Sequence, residues 1–131
     1  MTIRIAGYAA VFDVPDKGRD VVRRGAFERV QAGAPLLWQH DATRPIGRVE
    51  TVNEDGRGLR VIASVTAGTQ AGDEAVALLK SGAIDGMSFG YRVRRSRPGR
   101  GGVRELLDVE LIEVSLVTFP MQPLARVLGV A

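Results

Sequence analysis

Three side-chain types in this chain, a serine between glycines, a single histidine and a carboxylate set in apolar sequence, are the parts of a nucleophilic hydrolase. The serine is Ser88, in Gly82-Ala-Ile-Asp-Gly-Met-Ser-Phe-Gly-Tyr91, a stretch that leaves a predicted helix end and enters a predicted strand. Strand side chains alternate, so Met87, Phe89, Tyr91 and Val93 share one face and Ser88, Gly90 and Arg92 the other. Gly90 removes a side chain beside Ser88, and a missing Cβ admits the close approach of another backbone. Ser64 and Ser115 also fall on strands but lack flanking glycines, Ser96 lies in a polar loop and Ser81 at a helix end. The competing reading of Ser88 is an ordinary strand serine facing solvent.

His40 is the only histidine, so any imidazole chemistry falls to it. It ends the apolar run Pro35-Leu-Leu-Trp-Gln-His40, just before a turn, where a side chain reaches a cleft while its strand stays packed. Glu113 is the carboxylate most embedded in apolar sequence, in Leu111-Ile-Glu-Val-Ser-Leu-Val117. A buried carboxylate needs a partner, and an imidazole N–H would serve. Asp85, Asp108 and Glu110 are alternatives for that place. A single His without any Cys argues against zinc, thiolate chemistry and disulfides, and neither a phosphate-binding GxxxxGK loop nor a dinucleotide fingerprint is present.

The elements that must hold these residues read as mostly β. Strands are expected over residues 3–12, 21–24, 35–40, 46–52, 59–65, 87–93 and 103–117, the last broken near Leu107-Asp108. Asp41–Pro45 reads as a turn, 53–58 as a hairpin connection, 96–102 as a mobile loop and 124–128 as a tail. One helix is expected over Gln70–Ser81, capped by Thr69 and Gly82, with Ala71, Ala75, Leu78 and Leu79 as its apolar stripe. A second, short helix is expected over Gly25–Gly33. Hairpin spacing dominates, so the fold expected is mainly β with peripheral helices (α+β), an antiparallel barrel or sandwich in one domain over residues 1–131.

Composition agrees with a soluble globular domain: 45% apolar, 25% charged, net charge +3. The positive charge is almost all Arg, spread along the chain apart from Arg92–Arg104, and falls short of a dedicated nucleic-acid binder. No apolar run approaches the ~18 residues of a membrane span, and no export signal is visible.

Five blocks occur in a telling order: Gly7-Tyr-Ala-Ala-Val-Phe12, Asp20-Val-Val with Gly25-Ala-Phe27, Leu37-Trp-Gln-His-Asp41 with Pro45-Ile-Gly47, Ala77 through Tyr91, and Glu113-Val-Ser-Leu-Val-Thr-Phe-Pro120. With them the chain resembles the prohead (capsid maturation) proteases of tailed bacteriophages, from about Ile5 to Val127. The resemblance implies a serine endopeptidase with a β-barrel like that of herpesvirus assemblin protease and no cofactor or metal. It maps His40 as base, Ser88 as nucleophile and Glu113 as the residue that orients the base; an Arg near the Ser88 strand, Arg92 or Arg94, is a separate candidate for a helper at the oxyanion. It further implies scaffold and the major capsid protein as substrates, self-cleavage, a homo-oligomer, and action inside the immature capsid in the bacterial host cytoplasm, away from membranes. The rival expectation is a non-catalytic, scaffold-binding β-domain of a phage particle.

Overall fold

The computed structural model describes residues 2–131. Eight strands form one sheet: β1 Ile3–Val11, β2 Asp20–Val22, β3 Pro35–Trp38, β4 Asp41–Glu54, β5 Gly58–Val65, β6 Gly86–Pro98, β7 Arg104–Val117 and β8 Val127–Val130. Its order is β2-β7-β3-β4-β5-β1-β8, with β6 paired to β7. The sheet curls until its ends meet. Gly86 of β6 bridges Arg126 just ahead of β8, and Met87 N–H donates to Ala125 C=O at 2.9 Å. Inside the curl Ile5, Leu36, Ile46, Val49, Val61, Met87, Val114 and Leu116 are at most 1% exposed and form the apolar core.

The one α-helix, α1 Gln70–Ser81, is bounded by its own caps. Thr69 Oγ1 accepts the Gly72 N–H, and Gly82 takes the left-handed conformation that ends the helix. Ala75 and Leu79 are buried while Leu78 is exposed, so the stripe is narrower than its periodicity predicts.

The mainly β architecture matches the expectation, and several local readings do not. The second helix is absent: residues 25–30 make successive four-residue turns, Glu28 N–H to Gly25 C=O and Val30 N–H to Phe27 C=O. The Glu54 carboxylate competes there, accepting the Gly25 and Phe27 N–H groups at 2.8 Å each. The sheet is mixed, because β2 and β3 both run parallel to β7. Residues 41–45 are extended, opening β4, and Pro45 is accommodated opposite Leu37 where the register shifts. The Arg-rich strand β6 continues to Pro98 and returns through a turn at Arg100–Gly102. β7 runs on as one strand, and the irregularity expected near Leu107-Asp108 is a pair of register shifts around the Arg95–Asp108 pair, which pass over Arg94 in β6 and Leu107 in β7. The expected tail forms β8, which adds to β1.

The parallel β3·β7 pairing positions the site, setting Leu36 opposite Val114, Leu37 opposite Ser115 and Trp38 opposite Leu116. Leu36 is fully buried under that seam. Leu36→Ala is expected to lower stability by about 2–5 kcal/mol through lost burial and the cavity left behind. Chemical denaturation of the two proteins, fitted with a common m-value, measures it.

Candidate active site

β3 ends at Trp38 and β4 begins at Asp41, so Gln39 and His40 are the two central residues of a tight hairpin. Both have positive φ, 54° and 60°. Two-residue hairpins with that backbone normally use Asn-Gly, because a Cβ in the left-handed region costs about 1–2 kcal/mol per residue. Side-chain bonds hold the unusual pair in place. Gln39 Nε2 donates to Thr118 Oγ1 at 2.7 Å, and Thr118 N–H donates to Gln39 Oε1 at 3.1 Å. The turn thereby folds His40 back over β7.

There His40 meets Glu113, with Nδ1 2.5 Å from Oε1. The other carboxylate oxygen accepts Ser115 Oγ–H at 2.5 Å, and that hydroxyl oxygen accepts the His40 backbone N–H at 3.1 Å. Four groups thus close a ring: His40 N–H to Ser115, Ser115 to Glu113, Glu113 to the imidazole. Glu113 is 7% exposed and Ser115 fully buried. Left alone, a carboxylate at this depth would carry a penalty of several kcal/mol. Hydrogen bonds to a charged acceptor contribute about 1.5–3 kcal/mol each and offset it. With Nδ1–H given to the carboxylate, Nε2 keeps the lone pair. The hydrogen bond from the imidazole to Glu113 raises the His40 pKa above its ordinary 6.5; partial burial opposes this, and the negative charge adds to it.

Ser88 lies on the neighbouring strand. In the β6·β7 ladder Ser88 stands opposite Ser115, and Gly90 opposite Glu113. Gly90 has a different use from the one the sequence suggested. A Cβ built there would lie 2.5 Å from Glu113 Oε1 and 3.0 Å from its Cγ, so the vacant space holds the carboxylate rather than an approaching backbone. Ser88 and His40 line one cavity of about 140 Å³, closed by Phe89, Tyr91, Met121 and the loop carrying Asp16. No hydrogen bond joins the two side chains here. Ser88 is 5% exposed, yet its hydroxyl has no protein partner and is not among sealed polar atoms, so it opens into the cavity. Catalytic hydrogen bonds commonly tighten only when substrate is bound. Together the groups offer a hydroxyl, an imidazole with a free nitrogen and a carboxylate that fixes the ring, the parts for proton-coupled nucleophilic attack.

The alternative carboxylates lie elsewhere. Asp85 pairs with Arg126 at 2.7 Å, Asp108 approaches Arg29 at 3.9 Å, and Glu110 faces Arg92 and Arg94 at 3.6 and 3.9 Å. Arg92 and Arg94 make those contacts, and neither lines the Ser88 cavity.

The family model described as caudovirus prohead serine protease (Peptidase S78) matches residues 1–130. The chain belongs to that family. Among relatives, it is 34% identical over 125 residues to the capsid polyprotein of Pseudomonas phage PAJU2, covering 88% of this chain and 18% of that one. It is 29% identical over 122 residues to the prohead protease of Enterobacteria phage HK97, covering 87% of this chain and 54% of that one. The chain thus spans about half or less of these relatives. In fold it is similar to the bacteriophage T4 capsid assembly protease, with TM-score 0.68 at 18% identity over 87% of this chain and 80% of that one. It is similar also to KSHV protease, with TM-score 0.66 at 12% identity, covering all of this chain and 65% of that one.

Within this prohead-protease fold, sequence reasoning overlooked Ser115. It was set aside for want of flanking glycines, but its role is to hold Glu113 from a fully buried position. Its signal was spacing: on a strand, positions 113 and 115 share a face. Asp16, Tyr91 and Met121 of the cavity carry no local motif and meet only through the fold.

Gly90→Ala is expected to push the Glu113 carboxylate off the ring, and Glu113→Gln to remove its charge. Since His40 is the only histidine, its ring protons titrate without overlap in NMR. Both variants are expected to lower the His40 pKa from its raised value. Because folding raises that pKa, the stability it contributes is full below pH 6.5 and fades as pH climbs through the folded value. Wild type is therefore expected to lose more stability than Glu113→Gln between pH 6 and 8, read as urea midpoints.

Proposed function

We propose that this chain is a serine endopeptidase of phage head maturation, with Ser88 as nucleophile, His40 as base and Glu113 as the residue that orients it. The observation that carries the reading is the His40–Glu113 pair at 2.5 Å on the wall of the cavity into which the Ser88 hydroxyl opens. Membership of the prohead serine protease family supports the same reading.

In this mechanism Ser88 Oγ attacks the scissile carbonyl carbon while His40 Nε2 takes its proton. The C–N bond then breaks, and the imidazolium gives the proton to the leaving amine. Water, activated by the same imidazole, cleaves the acyl ester and restores Ser88. Glu113 stabilises the imidazolium in both halves, and Ser115 keeps Glu113 in place. Beyond Met87, β6 has only β7 as a strand partner among the described residues, so an extended substrate has a free edge along which to lie. The kinship with a capsid polyprotein and a capsid assembly protease supports capsid and scaffold proteins as substrates, cut inside the immature particle in the host cell.

Co-expression with the capsid protein and scaffold of the same particle, read by intact mass, is the test. Wild type is expected to trim them, and Ser88→Ala and His40→Ala to leave them whole. Glu113→Gln is expected to retain activity lowered by roughly 10⁴-fold, as loss of an orienting carboxylate does elsewhere. The rate should rise with pH through the raised His40 pKa, since a base must be neutral. Undiminished trimming by Ser88→Ala would remove that residue as nucleophile; wild type inert within assembled particles would favour a scaffold-binding, non-catalytic domain.

A further inference from the structure

The cavity lined by Ser88 and His40 is lined also by a carboxylate, Asp16, whose surroundings differ from those of its neighbour Asp20. Asp20 is fully occupied. Arg104 donates to both of its oxygens at 2.9 and 3.0 Å, and Tyr91 O–H donates at 2.6 Å. Asp16 accepts the Asp20 backbone N–H at 2.9 Å through Oδ1, and the Gly18 backbone N–H also acts on this carboxylate. Its Oδ2 has no hydrogen-bond or ion-pair partner among the described residues. Asp16, Asp20 and Arg104 therefore sum to one uncompensated negative charge. Burial raises the Asp16 pKa, against the Asp20 N–H that lowers it, as expected for a carboxylate short of partners.

The cavity walls are built to receive a side chain. Ala9, Phe89, the Tyr91 ring and Met121 give apolar surface in the lining, and the volume of about 140 Å³ equals that of roughly five waters. The mouth is held open by the fold itself. Lys17 N–H donates to Met121 C=O at 2.9 Å, and Gln122 Nε2 donates to Val14 C=O at 2.9 Å, which ties the loop of Asp16 to the loop after β7. Of the nearby cations, Arg104 is bound to Asp20 and Arg19 reaches the Gly101 carbonyl. Lys17 is exposed and makes no ion pair among the described residues.

We propose that this cavity is a specificity pocket for a lysine or arginine side chain flanking the cleaved bond, its aliphatic stem lying on Phe89, Tyr91 and Met121 and its cationic tip on Asp16. Long basic side chains match such a site because they bury methylenes while the charge seeks an oxygen. The proposal rests on the endopeptidase reading for its meaning, but occupancy of the cavity can be measured without turnover.

Two measurements separate the two claims. In the first, N-acetyl-lysine methylamide and N-acetyl-norleucine methylamide are titrated into wild type and Asp16→Asn, following the amide NMR signals of Tyr91, Met121 and Gln122. Asn keeps the shape and the acceptor for the Asp20 N–H, so the variant is expected to fold. The lysine compound is expected to bind wild type at least roughly tenfold more tightly, as one charge-assisted bond allows, and Asp16→Asn to level the two. Equal binding in wild type, or an unchanged preference in Asp16→Asn, overturns the proposal. In the second, wild type, Ser88→Ala and Asp16→Asn act on a proteome-derived peptide mixture cut beforehand only after glutamate. Basic residues are expected beside the bonds that wild type cuts and Ser88→Ala spares, and Asp16→Asn is expected to lose that preference. Cutting without it overturns the pocket and leaves the endopeptidase standing. If wild type cuts nothing that Ser88→Ala spares, the endopeptidase reading fails, and the titration still decides what the cavity binds.

Discussion

The Glu113 carboxylate, held at 7% exposure between an imidazole and a hydroxyl, sets the terms for everything around it. A charge at that depth persists only where each oxygen has a donor. One donor comes from a hairpin turn, the other from its own strand two residues on, and a glycine on the facing strand leaves the space. Remove any of these and the carboxylate loses a donor or the space it occupies. The left-handed backbone at Gln39 and His40 belongs to the same constraint, since without it the ring would not turn back to β7.

Much of this was legible because it was local. The α1 boundaries could be read from Thr69 and Gly82, whose caps need only neighbouring residues. The separation of Ser88 and Gly90 from Met87 and Phe89 followed from the period of a strand. The pairing of a lone histidine with the carboxylate set deepest in apolar sequence followed from the cost of burying that charge without a partner.

What escaped depends on partners distant in the chain. Gly90 looked like room for substrate, and only the β6·β7 register shows that Glu113 fills it. The turns over residues 25–30 resemble a short helix until the Glu54 carboxylate, far along the chain, takes two of their N–H groups. The parallel β3·β7 contact is likewise invisible to hairpin spacing, because parallel neighbours need long connections. Residues 127–130 show no strand pattern of their own and become one because β1 has an edge to fill.

That last strand has a consequence in time. Its register with β1 joins Ile5 to Val130, and the bridge just before it, Gly86 to Arg126, sits two positions from Ser88. Chain entropy must be spent on the longest closure in the molecule before the seam beside Ser88 can shut. During synthesis the ribosome has to release residues 125–130 before that corner can exist. A polypeptide still growing would carry the serine, the histidine and the glutamate before the sheet around them had closed.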